Sequence, residues 1–318
     1  MKVIDTIEDT GILPVINIPK PEYAIPLVDA MKVGGINAIE VTLRSESSLE
    51  SINRIKSIRS DYVVGAGTVL SAETAEEAIK AGADFIVSPG FDEETVDYCM
   101  RKGVEIVAGC TSATEIQKGL KKGVTVFKFF PGELSGGVGA IKLLSGPFPK
   151  IKFLPTGGIN FDNLGAYLAN DKVLACGGSF VAPSDMIKSE DYKGITEACK
   201  KAVDISLGFE LAHVGVNDSS AEEAVLNATA LAEIFRLPVK DGNSSTFSGT
   251  AVEFMKKPCY GTKGHIGFRT NSVKRALAFF KKRNIAVIEE SIKQDDKGLI
   301  SAYLKDEIGG FAIHVVRK

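Results

Sequence analysis

Val124-Thr-Val-Phe-Lys-Phe-Phe130 is a strand-length run in which apolar residues stand at consecutive positions, with one charge, Lys128, in its midst. A strand with one face in water carries polar residues at every second position. A run that is apolar throughout belongs to a strand covered on both faces, as in parallel sheets flanked by helices. Working outward, seven more such runs lie at 11–18, 38–43, 63–69, 85–89, 105–110, 152–159 and 173–180. Between them lie amphipathic stretches suited to helices, among them 72–81, 93–102, 113–122 and 162–169. Eight parallel βα units in the first two-thirds of the chain fit a closed (β/α)8 TIM barrel, an α/β fold. A doubly wound open sheet is the alternative, but no G-x-G-x-x-G opens a helix.

The pattern changes after Leu207. His213-Val-Gly-Val216 and His265-Ile-Gly-Phe268 are similar strand openings, and each is followed by a helix-like stretch, 221–235 and 273–283. Each half also ends alike: 249–257 (GTAVEFMKK) matches 310–318 (GFAIHVVRK) by residue class. An internal duplication follows, each copy reading as a strand, a helix and two or three strands. The expected organisation is therefore a barrel domain over 1–207 and an α+β domain of paired modules over 208–318.

Composition narrows the classes of function. The chain has 318 residues, 44% of them apolar, and a formal net charge of −2, which gives no footprint for nucleic acid. No apolar run approaches the length of a membrane span. The opening MKVIDTIEDTG is too acidic for a signal peptide. Five cysteines, odd in number and without C-x-x-C spacing, fit reduced thiols, so a cytoplasmic setting is expected. All three histidines (His213, His265, His314) fall in the last third, so chemistry in the barrel must proceed without imidazole.

Barrel sites form at the C-terminal ends of the strands, and a charge within a covered strand is costly unless paired or functional. Burial favours the neutral amine of Lys128, a nucleophile toward a ketone; the alternative is a lysine whose head reaches water. Glu40, in Ala38-Ile-Glu-Val-Thr-Leu-Arg44, suits proton transfer; the alternative is a structural ion pair with Arg44 or another cation. Arg44 suits a bidentate clamp on a carboxylate, or is a surface arginine. Thr68 follows Gly65-Ala-Gly67 and either faces a ligand or makes a turn. Pro89-Gly90 shapes the end of another strand. Thr156-Gly157-Gly158 and Gly177-Gly178-Ser179 close the last two strands, where many barrels bind phosphate. An amine nucleophile, a proton-transfer carboxylate, a carboxylate-binding arginine and an anion cradle together suit Schiff-base carbon–carbon chemistry on a 2-keto acid with an anionic tail.

Six segments carry a family likeness: 40–44 (EVTLR), 64–70 (VGAGTVL), 87–90 (VSPG), 127–131 (FKFFP), 155–159 (PTGGI) and 177–179 (GGS). In these, residues 1–207 resemble the bacterial 2-keto-3-deoxy-6-phosphogluconate / 4-hydroxy-2-oxoglutarate aldolases. The resemblance implies a class I aldolase of the Entner–Doudoroff type that needs no cofactor and is a homotrimer. It implies Lys128 as the Schiff-base lysine and Glu40 as the general acid/base. Arg44 and Thr68 would hold the pyruvate portion, and Pro89 would shape the pocket. Phe130 would be an aromatic wall, with Thr156, Gly157, Gly158 and Ser179 taking the distal phosphate or carboxylate. Gly132, Asn160 and Phe180 depart from common family residues, which leaves substrate preference open. The last third resembles the vicinal-oxygen-chelate (glyoxalase/bleomycin-resistance) fold of paired βαβββ modules. There the ligand positions fall on His213, Glu253, His265 and His314, implying a divalent metal. A histidine at the fourth position, where glutamate is commoner, is a departure.

Overall fold

The structure is a computed structural model and describes residues 3–296 and 298–318. Two compact units divide after Ser206.

The first unit opens with α1 (Val3–Thr10) and then runs β1 (Ile12–Ile16), α2 (Ala24–Val33), β2 (Ala38–Thr42), α3 (Ser48–Ile58), β3 (Val63–Gly67) and α4 (Ala72–Lys80). It continues with β4 (Phe85–Val87), α5 (Glu93–Lys102), β5 (Glu105–Cys110), α6 (Ala113–Lys121), β6 (Val126–Phe129) and α7 (Gly137–Ser145). β7 (Lys152–Pro155), α8 (Leu164–Leu168), β8 (Cys176–Gly178), α9 (Ser184–Lys188) and α10 (Tyr192–Leu207) complete it. The strands are parallel neighbours in the order β7-β6-β5-β4-β3-β2-β1-β8. Bridges Phe153–Val173 and Thr156–Gly177 join the two ends, so the sheet closes into the (β/α)8 barrel.

Helix starts are fixed locally. Ser71, Asp92 and Ser112 accept from backbone N–H groups of the first turns of α4, α5 and α6, satisfying donors that a helix start otherwise leaves unpaired. At Ser112 the reciprocal bond from Glu115 completes a capping box.

Inside the barrel, Leu13, Ala38, Phe85, Val87, Val107, Val126 and Leu154 form one buried cluster with Ile7 of α1, and Val3 and Ile4 pack against it. α1 thus lies across the N-terminal mouth. Side chains alternate along a strand, so the inward residues two places beyond Ala38 and Val126 are Glu40 and Lys128. The sequence places their charges one layer above the apolar floor.

The second unit runs β9 (Glu210–Asn217), α11 (Ala221–Phe235), β10 (Val239–Asp241), β11 (Ser245–Ser248) and β12 (Val252–Met255), then β13 (Gly264–Thr270), α12 (Val273–Lys282), β14 (Lys293–Asp295), β15 (Gly298–Ile308) and β16 (Phe311–Arg317). Its eight strands form one mixed sheet, β10-β11-β12-β9-β13-β16-β15-β14. Each half is a βαβββ module. The first strand of each pairs in parallel with the last, and β9 and β13 join the halves antiparallel. Ala224 and Ala228 of α11 pack on Phe254 of β12. Among the described residues no helix is long and apolar enough to cross a membrane.

Candidate functional site

In the barrel, Glu40 lies between Val15 and Gly65 in register, and Lys128 between Gly109 and Leu154. The two are 88 positions apart, yet Lys128 Nζ donates to Glu40 Oε1 at 3.0 Å. Their side chains are 7% and 0% exposed. The partner of Glu40 is therefore Lys128 and not Arg44, and the lysine head is kept from water. Space for the pair comes from glycine: a Cβ at Gly67 would sit 2.1 Å from Glu40 Oε1. The second carboxylate oxygen, Oε2, is buried and has no hydrogen-bond partner among the described residues. A buried acceptor left unpaired is costly, and a hydroxyl of a bound molecule would satisfy it.

Beside this pair opens a cleft of about 370 Å³. Arg44, Phe130, Thr156, Gly157, Gly158 and Ser179 all line it, so the structure gathers six of the expected residues in one place. Lys128 Nζ stands 5.7 Å from the Phe130 ring centroid, which ties the ion pair to the cleft wall. Arg44 lies just past the end of β2, exposed, and makes no ion pair among the described residues. Thr156 Oγ1 is buried and has no hydrogen-bond partner among the described residues. Gly157 and Gly158 hold φ of 93° and 84°, a conformation that residues with a Cβ rarely adopt. Their loop is stitched to the one after β6: Gly132 N–H donates to Thr156 O at 2.7 Å and Glu133 N–H to Gly157 O at 3.1 Å. Tyr167 OH in turn donates to Glu133 Oε1.

Thr68 directly follows β3 and Pro89 lies two residues past β4, but neither is among the residues that line the cleft. Thr68 has φ 60°, a left-handed turn. Asn17, Thr42 and Ser184 line the cleft without having been anticipated. Asn17 ends the apolar run 12–16 and was open to the same reasoning as Lys128. Ser184 lies beyond β8, where no strand pattern marks it.

In the second unit, β9, β12, β13 and β16 bring His213, Glu253, His265 and His314 together. His213 Nε2 lies 3.1 Å from His265 Nε2 and 3.2 Å from His314 Nε2. Glu253 Oε2 lies 3.1 Å from His265 Nε2 and 3.4 Å from His213 Nε2. Ser245 Oγ donates to the other carboxylate oxygen at 2.5 Å. Glycine again gives the room, since a Cβ at Gly215 would lie 2.1 Å from the His265 ring and one at Gly267 2.5 Å from His314 Nε2. Burial first, then the neighbouring imidazoles, lowers the His314 pKa to about 3. Burial likewise lowers that of His213, so both rings keep a free lone pair. Burial opposes the charge on Glu253, but hydrogen bonds from His265 and Ser245 outweigh it and lower its pKa.

An imidazole nitrogen is a donor or an acceptor, never both. His213 Nε2, with two nitrogens and a carboxylate oxygen around it, cannot pair with all three. A divalent ion with bonds of about 2.0–2.2 Å spaces its ligand atoms roughly 3.0–3.4 Å apart, and the His213–His265, His213–His314, Glu253–His265 and Glu253–His213 distances fall in that range. The three histidines lie close enough to hold a metal ion, with the Glu253 carboxylate beside two of them, a donor set that suits zinc, nickel, manganese or iron(II).

An amine and a carboxylate in contact at the C-terminal side of a (β/α)8 barrel, beside a cleft lined by an arginine, hydroxyls and glycines, are the equipment of a lysine-dependent carbon–carbon lyase. The chain belongs to the KDPG and KHG aldolase family, whose model matches residues 3–198. It is 41% identical over 203 residues to the 2-dehydro-3-deoxy-phosphogluconate aldolase of Treponema pallidum, covering 64% of this chain and 97% of that protein. It is 38% identical over 201 residues to the KHG/KDPG aldolase of Escherichia coli, covering 63% and 94%. Among solved structures it is similar to the KDPG aldolase of Legionella pneumophila with pyruvate captured as a covalent carbinolamine intermediate. There the TM-score is 0.62 and the identity 35%, over 64% of this chain and 98% of that one.

Proposed function

We propose that the barrel is a class I aldolase, a lyase that cleaves 2-keto-3-deoxy-6-phosphogluconate to pyruvate and glyceraldehyde 3-phosphate, or 4-hydroxy-2-oxoglutarate to pyruvate and glyoxylate. The observation that carries this is the buried 3.0 Å contact between Lys128 Nζ and Glu40 Oε1 beside the cleft. Lys128, giving its proton to Glu40, attacks the C2 ketone and forms a carbinolamine. Glu40 gives that proton to the carbinolamine hydroxyl, which leaves as water, and a protonated imine and the Glu40 carboxylate remain. Glu40 then takes the C4 hydroxyl proton as the C3–C4 bond breaks. The bonding electrons pass into the imine, giving an enamine, and the aldehyde departs. Glu40 returns the proton to C3, and hydrolysis frees pyruvate and Lys128. Arg44 pairs with the substrate carboxylate, and Thr156, Gly157, Gly158 and Ser179 receive the distal anion. Thr68 and Pro89 shape the pyruvate end from the adjoining strand ends. The chemistry on these residues calls for no cofactor. Borohydride with pyruvate should fix a covalent adduct on Lys128; normal turnover by Lys128→Ala would overturn the assignment.

The homotrimer implied by the resemblance and the cytoplasmic setting expected from the cysteines belong to the same reading. Leu134 and Leu143, 91% and 79% exposed, support an association surface on the barrel, and light scattering of the purified chain tests it.

For the second unit we infer a vicinal-oxygen-chelate-like metal module, held by His213, Glu253, His265 and His314. The convergence of three Nε2 atoms and one carboxylate supports it. Such an ion polarises a bound oxygen as a Lewis acid, which suits a lyase or dioxygenase, or a site that binds a metabolite without turnover. Elemental analysis after reconstitution with divalent metal should give one ion per chain, and His265→Ala should lose it.

A further inference from the structure

The face of the second sheet that carries the metal ligands also carries two cations. Side chains alternate along β13, so residues 265, 267 and 269 share a face. That face is the one toward the histidines: the Cβ position of Gly267 lies 2.5 Å from His314 Nε2 and 2.7 Å from His213 Cε1. Arg269 comes next on it, about 7 Å further along the strand.

Arg269 is exposed, and its guanidinium makes no hydrogen bond or ion pair among the described residues. Glu210 faces it across the β9–β13 pair but is taken by Lys318 at 2.6 Å. On the far side, Lys293 pairs with Ser301, two residues before Tyr303, which faces His314 in register. Lys293 therefore lies on the same face. A divalent ion offset by Glu253 alone, with Arg269 and Lys293 around it, leaves a positive cup. Aromatic rings bound that cup. Phe247 stands edge-on to His213 at 6.1 Å and Tyr303 is stacked on His314 at 4.6 Å.

We propose that Arg269 is the anion-recognition residue of the second unit. The site then takes a small oxo- or hydroxycarboxylate, its carboxylate on the Arg269 fork and an oxygen toward the metal. The assignment rests on the metal reading above. It makes the second unit a receiver for the class of compound that the barrel reaction releases. A guanidinium presents a planar pair of donors matched to a carboxylate, which an amide or an alcohol would not use.

The test uses the full chain loaded with Co(II), whose visible d–d absorption reports on the histidine cluster and is blind to Lys128. Titration with L-lactate or pyruvate should shift this band saturably, whereas the neutral lactamide should bind at least tenfold more weakly. Arg269→Gln should keep one Co(II) per chain and the unliganded spectrum but weaken lactate binding at least tenfold. Arg269→Lys should recover part of the loss, and the response to lactamide should not change. If Arg269→Gln binds lactate as the wild type does, or if no carboxylate moves the band of a Co(II)-loaded chain, the Arg269 assignment falls and the metal reading stands. A wild-type chain that takes up no Co(II) overturns both.

Discussion

Lys128 and Glu40 show how a pair of residues divides its labour. Each would be an uncompensated charge without the other, and together they form a contact ready for proton transfer. Glu40→Gln keeps the shape and a hydrogen-bonding group but removes the base. Turnover should fall by about 10²–10⁴-fold, while borohydride trapping of pyruvate on Lys128 persists; single-turnover assay beside trapping checks this. Gly67→Ala tests the same pair from behind. A methyl 2.1 Å from Glu40 Oε1 must push the carboxylate off Lys128, so activity should drop together with about 1–3 kcal/mol of stability, seen in the melting temperature. Much at this scale was legible in the sequence, because a charge in a covered strand stands out. What could not be read is that Glu40 reaches Lys128 and not the nearer Arg44. That pairing depends on barrel closure, which brings β2 and β6 to face one another across the interior.

Among elements, the loops after β6 and β7 do the work of shaping. Gly157 holds φ 93°, and its carbonyl accepts from Glu133 N–H. Gly157→Ala strains that turn by about 1–3 kcal/mol. It should raise KM for the phosphorylated substrate while leaving pyruvate trapping intact; steady-state kinetics on both substrates is the measurement. The strands were readable from consecutive apolar residues, though β8 is only Cys176–Gly178 where 173–180 was expected. Val173 makes a single bridge to Phe153, because strand pairing is sparse where the barrel closes. The helix α1 was not anticipated. Its apolar residues Val3, Ile4 and Ile7 sit at helical spacing, but eight residues give too short a period to distinguish from a loop without the barrel floor that they cover. In the second unit the duplication was plain from two matched strand ends. The central β9–β13 pairing, which brings the two modules' histidines together, was not, since it is set by long-range strand order.

For the molecule as a whole, the chain divides into two compact units after Ser206. The relatives of the barrel are matched over 97% and 94% of their own length by about two-thirds of this chain. A chain ending at Ser206 should therefore retain pyruvate release, and a metal chelator should leave that activity of the full chain unchanged. Loss of turnover on truncation would show that the barrel depends on its neighbour. The histidines sort the same way. The barrel reaction uses an amine and a carboxylate and has no role for imidazole, and all three imidazoles meet in the other unit.

The helix laid over the barrel floor has a kinetic consequence. With Ile7 wholly buried among the strand starts, the vessel has one open end, and whatever enters must leave by the same door. Pyruvate is the piece tethered deepest, so the aldehyde must go first and the keto acid last. Release in that order makes pyruvate the inhibitor that competes with substrate for the empty enzyme, whereas added aldehyde meets the enamine and drives the reaction backward toward synthesis.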